Sequence, residues 1–310
     1  MSGWRRAVAI GGGTGLPLVL ECLAAPEVDL TAIVTVADDG GSSGWLRREL
    51  GILPPGDIRN CLVALAASGS ELAKVFQYRF TAGEGLAGHA LGNLIIAALV
   101  DIEGDFAAGI DAAAELLGTR GHVLPSTLED IVLLAEDADG GFVTGQANVA
   151  RSSSPVRRVH TNPASPAAYP PAIRAISSAD MVVIGPGSLY TSIIPNLLVD
   201  GIPQALAACP GRIVYVCNVA NQRGETSGMS AADHVRALMD HGLERIDAVI
   251  VHDTDVSPLP VSIPAVCAGA EVREEIRETG ATVIAADVVN ASNPMHHDPA
   301  LVCAALRRVG

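Results

Sequence analysis

Short, almost wholly apolar runs, each broken by glycine or a polar loop, alternate along the chain with stretches of helical spacing. Ala7-Val8-Ala9-Ile10 ends at Gly11-Gly12-Gly13-Thr14-Gly15, and Leu16 to Leu23 then has helical spacing, with Pro17 in an early turn that tolerates it. Ala32 to Val36 is a second run and stops at Asp38-Asp39-Gly40-Gly41-Ser42-Ser43-Gly44. The pattern returns after residue 175. Met181 to Ile184 runs into Gly185-Pro186-Gly187-Ser188, and Ile213 to Cys217 runs into Asn218 and a polar loop, followed by a helix from about Ser230 to His241. Ala248 to Val251 and Thr282 to Ala285 are further strand-like runs, and Asp298-Pro299 reads as an N-cap and first-turn proline opening a last helix. Strands apolar on both faces belong to a parallel sheet covered by helices. The alternation therefore predicts an α/β fold, a Rossmann-like three-layer αβα sandwich with a mostly parallel sheet.

Two stretches break this rhythm. Residues 57–118 predict a helical insertion, in which Asp57 caps an apolar stretch ending at Ser68-Gly69 and another runs from Leu91 to Val100. Residues 120–160 predict a small β-rich excursion, with Ile131 to Leu134, a turn at Asp139-Gly140-Gly141, and Phe142 to Thr144 beyond it. The Pro/Ser/Ala-rich stretch from Ser152 to Pro171 reads as a long connection, so residues 1–310 are expected to form a single domain.

Composition narrows the chemistry. The 310 residues carry a formal net charge of −14, which tells against a nucleic-acid partner because duplex-binding surfaces are basic stripes. Lys74 is the only lysine, so no P-loop motif exists. The cysteines Cys22, Cys61, Cys209, Cys217, Cys267 and Cys303 form no C-x-x-C pair and mostly lie in apolar runs; they read as small buried hydrophobes of a reducing compartment. No apolar run reaches a membrane span, and a strand near the N-terminus replaces a signal-peptide core, so a cytoplasmic location is expected.

Ligands of open α/β sheets lie beyond the carboxyl ends of strands, near the switch in strand order. The residues found there are the candidates. Gly12, Gly13, Thr14 and Gly15 offer backbone N–H groups at a helix N-terminus, which favours phosphate. Leu16 replaces the third glycine of the dinucleotide fingerprint. Asp38 and Asp39 stand where a divalent cation such as Mg²⁺ would find two carboxylates beside a phosphate, and Gly41, Ser42 and Ser43 resemble an oxygen-binding loop with two hydroxyl donors. Asp57 reads as an N-cap, Arg59 as either its salt-bridge partner or a phosphate clamp, with the salt bridge favoured, and Asn60 stands beside it in the first turn. His89 and Asn93 share a face if their helix begins early. Gly187 and Ser188 offer a second phosphate or sugar contact, but Tyr190 breaks the nucleophile-elbow pattern. Asn218, His252 and Asp253 complete the strand ends, and His296-His297-Asp298 reads as helix capping.

These motifs, with Pro55 to Asn60, Leu91 to Leu94, Gly185 to Asn196, Asn218-Val219 and Gly224-Glu225-Thr226, resemble in order the YvcK-type gluconeogenesis factors, relatives of the CofD-type 2-phospho-L-lactate transferases. The resemblance implies a Rossmann-like domain that binds a nucleotide or nucleotide-sugar, of the UDP-N-acetylglucosamine type in the YvcK branch, and supports cell shape and envelope synthesis. The transferase branch moves a phospholactyl group from a nucleotide-activated donor with a divalent metal. No tightly bound organic cofactor is expected, and a homo-oligomer is compatible with the family. The chain departs from the family pattern at Trp45, Gln146 and His296; many members carry at the last position an arginine tied to UDP-sugar binding.

Overall fold

The apolar runs become strands, those inside the sheet buried on both faces and the run from Thr282 to Ala285 only partly buried, and successive residues of an inner strand enter opposite cores. Ala9 and Val183 pack into one core, whereas Ile10 and Ile184 pack into the other. The computed structural model describes residues 4–152, 154–253, 259 and 263–309. In chain order the elements are β1 (Arg6–Gly11), α1 (Gly15–Leu23), β2 (Asp29–Val34), α2 (Gly41–Leu50), α3 (Gly56–Leu65), α4 (Glu71–Gln77), α5 (Leu91–Glu103), α6 (Phe106–Leu117) and β3 (His122–Pro125). There follow β4 (Val132–Asp137), β5 (Phe142–Thr144), α7 (Gln146–Val149), β6 (Val156–Asn162), α8 (Pro170–Ser178) and β7 (Met181–Ile184). A wide helical turn (Leu189–Ile193) runs into α9 (Ile194–Leu197), then α10 (Ile202–Ala207), β8 (Arg212–Val216), α11 (Ala231–Asp240), β9 (Ala248–His252), α12 (Ala270–Glu278), β10 (Thr282–Ala286) and α13 (Pro299–Leu306).

Seven strands form the main sheet in the order β10-β9-β8-β7-β1-β2-β3, and every neighbouring pair is parallel. The chain starts at β1, builds outward through β2 to β3, then returns to the other side of β1 and builds outward again from β7. Strand order thus reverses between β1 and β7. Ile10 lies level with Ile184, so the two glycine loops leave the sheet side by side at the switch point. Helices cover both faces, and among the described residues none is long and apolar enough to cross a membrane.

The predicted excursion is a three-stranded antiparallel sheet, β5-β4-β6, with a turn through Asp139 to Gly141. Its boundaries differ from the prediction. β3 belongs to the main sheet, and β6 lies within the stretch read as a connection, where Val156, Val159 and Thr161 alternate inward between exposed residues. Gly41-Ser42-Ser43-Gly44, read as a loop, is the first turn of α2; its low helix propensity is overridden because Ser42, Ser43, Gly44 and Leu46 are buried. The cysteine reading also needs correction. Cys22 of α1 and Cys303 of α13 form a disulfide across 281 positions because these helices pack side by side, and Cys267 is exposed.

Candidate functional site

The β1–α1 loop turns through Gly13, whose φ of 65° is left-handed. Gly15 then lies so close to the Pro186 carbonyl that a Cβ there would overlap it. This approach brings the two glycine loops together around a cavity of about 430 Å³. Gly13, Thr14 and Gly15 line one side of it, Gly187 and Ser188 the other, and Asn218 and His297 close it. Thr14 occupies the N-cap of α1 without a side-chain capping bond.

Several backbone donors of the two loops and the turn after the second are engaged within the protein. Gly13 N–H donates to Asp57 Oδ2 at 2.7 Å. Tyr190 and Thr191 N–H both donate to Glu225 Oε1, at 2.8 and 3.1 Å, and the Thr191 hydroxyl adds a third bond. Glu225 therefore caps the helical turn after the second glycine loop, and its buried carboxyl is pushed up to about 7. Asn218 accepts from Gly187 N–H at 3.2 Å and donates to Gly187 O at 2.8 Å, so its amide braces the loop at the cavity wall. Gly12 is not among the walls of this cavity; a Cβ on it would stand 2.7 Å from Asp57 Oδ2 and 2.8 Å from Thr35 Cγ2.

Across the Gly13–Asp57 bond lies a second cavity of about 210 Å³. It gathers Asp38, Gly41, Ser42, Ser43, Asp57, Asn60 and Asn93 with two arginines, Arg59 and Arg79. Asp39 is not among its walls. The Asp39 carboxylate accepts from Ala147 N–H at 2.8 Å and ties the β2–α2 loop to the small sheet. Asp57 supplies the second carboxylate at this cavity. It also departs from its expected role, because Pro55 holds the N-cap of α3 and Asp57 reaches across to Gly13 instead. Burial raises the Asp57 carboxyl to about 6, with the Asp38 charge adding to the effect. Asp38 is raised as well, by burial first.

Arg59 is 5% exposed and makes its hydrogen bonds to Asn93 Oδ1 at 3.0 Å and Asn60 Oδ1 at 2.6 Å, not to Asp57. Burial and the neighbouring Arg79 charge lower its pKa against the opposing pull of Asp57 and Asp38, a cost that an anion in the cavity would offset. Asn93 passes the chain of bonds to Ser42 Oγ at 3.1 Å, which also lies 3.1 Å from His89 Nδ1. α5 starts at Leu91, so His89 precedes it, and both residues nonetheless converge on Ser42. Sequence reasoning missed Arg79 and Glu225. Arg79 stands in the connection between α4 and α5, bridged to Ala90, and reaches the cavity only through the tertiary fold, whereas the only local signal at Glu225 is its place in the Gly224-Glu225-Thr226 motif.

Among the described residues no group of three or more His, Cys, Asp and Glu side chains is placed to hold a metal. Asp38 and Asp57, with the serine hydroxyls, form a smaller oxygen donor set. Such a set suits a hard cation that completes its shell with phosphate oxygens and water.

The switch-point fold and its cleft place the molecule among Rossmann-like α/β proteins. Residues 7–289 match the model of the family described as 2-phospho-L-lactate transferase CofD, and the chain belongs to this family. It is 48% identical over 254 residues to a gluconeogenesis factor of Halalkalibacterium halodurans, covering 82% of this chain and 79% of the relative. A relative from Nostoc sp. is 52% identical over 249 residues, 80% of this chain, but the match spans only about half, 55%, of that longer protein. The crystal structure of protein BH3568 from Bacillus halodurans superposes with a TM-score of 0.91 at 42% identity, covering 97% of this chain and 99% of that one.

Proposed function

We propose that this gluconeogenesis-factor relative binds a nucleotide-sugar of the UDP-N-acetylglucosamine type and acts as a cytoplasmic regulator of cell shape and envelope synthesis. The observation that carries this reading is the pair of cavities meeting at the Gly13–Asp57 bond. One is a switch-point cleft with no Lys, Arg, Asp or Glu in its walls, and the other holds two arginines and two carboxylates. A molecule with an uncharged nucleoside end and a diphosphate fits that division. The phosphates meet Arg59, Arg79 and the β1–α1 loop, and Asp38 and Asp57 hold a Mg²⁺ ion shared with phosphate oxygens. Equilibrium dialysis of the protein with UDP-N-acetylglucosamine, UDP and GDP, with and without Mg²⁺, tests the reading. Saturable retention of the UDP ligands supports it, and retention of none of the three removes it.

The carboxylate pair beside two guanidiniums also favours a second reading, an enzyme of the 2-phospho-L-lactate transferase type. Positioning and metal electrostatics would then do the catalytic work. The expected behaviour is Mg²⁺-dependent transfer of the phospholactyl group from a guanosine-activated donor to the hydroxyl of a deazaflavin alcohol, with release of GMP, abolished by Asp38→Asn. Absence of release under conditions where a working transferase releases GMP rules it out.

A further inference from the structure

His297 closes the 430 Å³ cleft from the segment before α13. Its Nε2 lies 3.0 Å from the Cys217 carbonyl oxygen at the end of β8. A carbonyl can only accept, so Nε2 carries the proton. Burial, with His252 and His296 nearby, lowers the ring to about 4, and the imidazole is neutral at physiological pH. Nδ1 is therefore an unprotonated acceptor, and it makes no hydrogen bond to the protein among the described residues.

The surroundings indicate which end of a ligand meets it. No Lys, Arg, Asp or Glu lines this cleft, whereas Leu18, Val219 and Met295 give it apolar surface. That environment suits the faces of a base, and the guanidiniums that suit phosphate stand beyond Asp57. Both polar atoms of Asn218 are bonded to Gly187, and although Gln222 and His296 also line this end, the His297 ring is the one oriented by a hydrogen bond of its other nitrogen.

We propose that His297 selects the base: its Nδ1 accepts a hydrogen bond from an imide N–H, so the cleft takes uracil- or guanine-type nucleotides over bases whose ring nitrogen there carries a lone pair. The inference rests on the nucleotide reading above and deepens it. Opposite an unprotonated Nδ1, the N3–H of uracil donates, whereas the N3 of cytosine sets lone pair against lone pair. A site built around one hydrogen bond rejects analogues that cannot make it.

The test is calorimetric titration of the full chain with UDP, N3-methyluridine diphosphate, CDP and inorganic pyrophosphate. Wild-type protein is expected to bind UDP at least about tenfold tighter than the N3-methyl analogue and CDP, the loss of one buried hydrogen bond. His297→Asn, which keeps an acceptor, should retain the preference; His297→Phe should weaken UDP about tenfold and erase it. Pyrophosphate binding should be equal in all three proteins, which separates loss of base selection from loss of the phosphate site. Equal wild-type affinity for UDP and its N3-methyl analogue overturns the proposal whatever the variants do, as does an unchanged preference in a folded His297→Phe protein. If pyrophosphate binds and UDP binds no better, base selection fails while the phosphate reading survives. If nothing binds, both fail.

Discussion

Glu225 carries a carboxyl whose buried surroundings disfavour its charge. A carboxylate with an ordinary pKa near 4.5 is held at about 7 by burial, although three hydrogen bonds favour its charged form. The folded state therefore holds the proton more tightly than the unfolded chain does. Linkage makes this an unfavourable term that is absent below about pH 4.5, grows as pH rises, and is complete above about pH 7. Its ceiling is about 3 kcal/mol. Glu225→Gln keeps a carbonyl oxygen for the Tyr190 and Thr191 donors without a titrating group. The variant is expected to gain stability relative to wild type between pH 5 and pH 8 in urea denaturation. A constant difference across that range would show that the carboxyl is not strained by burial.

The same scale shows why some residues were legible and others were not. Asp38 and Asp39 are adjacent, so the sequence offers them as a pair, but neighbouring side chains of an extended segment point to opposite sides. Asp39 accordingly binds Ala147, and the partner of Asp38 at the cavity comes from Asp57, nineteen positions on, through the fold. Asn93 was legible because a polar residue heading an apolar helix must find partners, and it finds Arg59 and Ser42.

Between elements, the site depends on how closely the β1–α1 and β7 loops approach. Gly15→Ala would drive a methyl group into the Pro186 carbonyl, a backbone atom that cannot turn aside. It is expected to cost on the order of 2–4 kcal/mol and to weaken ligand binding, because the strands must separate where the cleft forms. A thermal melt unchanged by the substitution would contradict this packing. A second clamp lies beneath. The Cys22–Cys303 disulfide joins α1, which follows the first glycine loop, to α13, which follows the His297 segment. Closing so long a loop is worth about 2–5 kcal/mol, so Cys303→Ser should lose that much in denaturant without reductant. Reductant should bring wild type to the same level, and insensitivity of wild type to reductant would contradict the bond. This element pairing was not legible in the sequence, since the two cysteines are 281 positions apart and no spacing rule joins them. The strands themselves were legible because each apolar run is ended by glycine or a polar loop at the sheet's edge.

Across the whole molecule, one topological fact organises the rest. The chain returns to the other side of β1 after β3, and the reversal puts two glycine loops, an arginine pair and two carboxylates around adjoining cavities. The fold class followed from alternating strands and helices alone, but the division of the site into an uncharged cleft and a charged pocket did not. That division depends on which of many polar residues the insertion α3–α5 turns inward, a long-range outcome that no local pattern encodes. It also gives the ligand a direction. The measurement that tests this most directly is a crystal structure of the protein soaked with UDP-N-acetylglucosamine and Mg²⁺. The uracil is expected in the cleft beside His297 and Met295, and the diphosphate at Gly13, Arg59 and Arg79 with a cation at Asp38 and Asp57. A ligand bound in the reverse direction, or outside these two cavities, would contradict the proposed site.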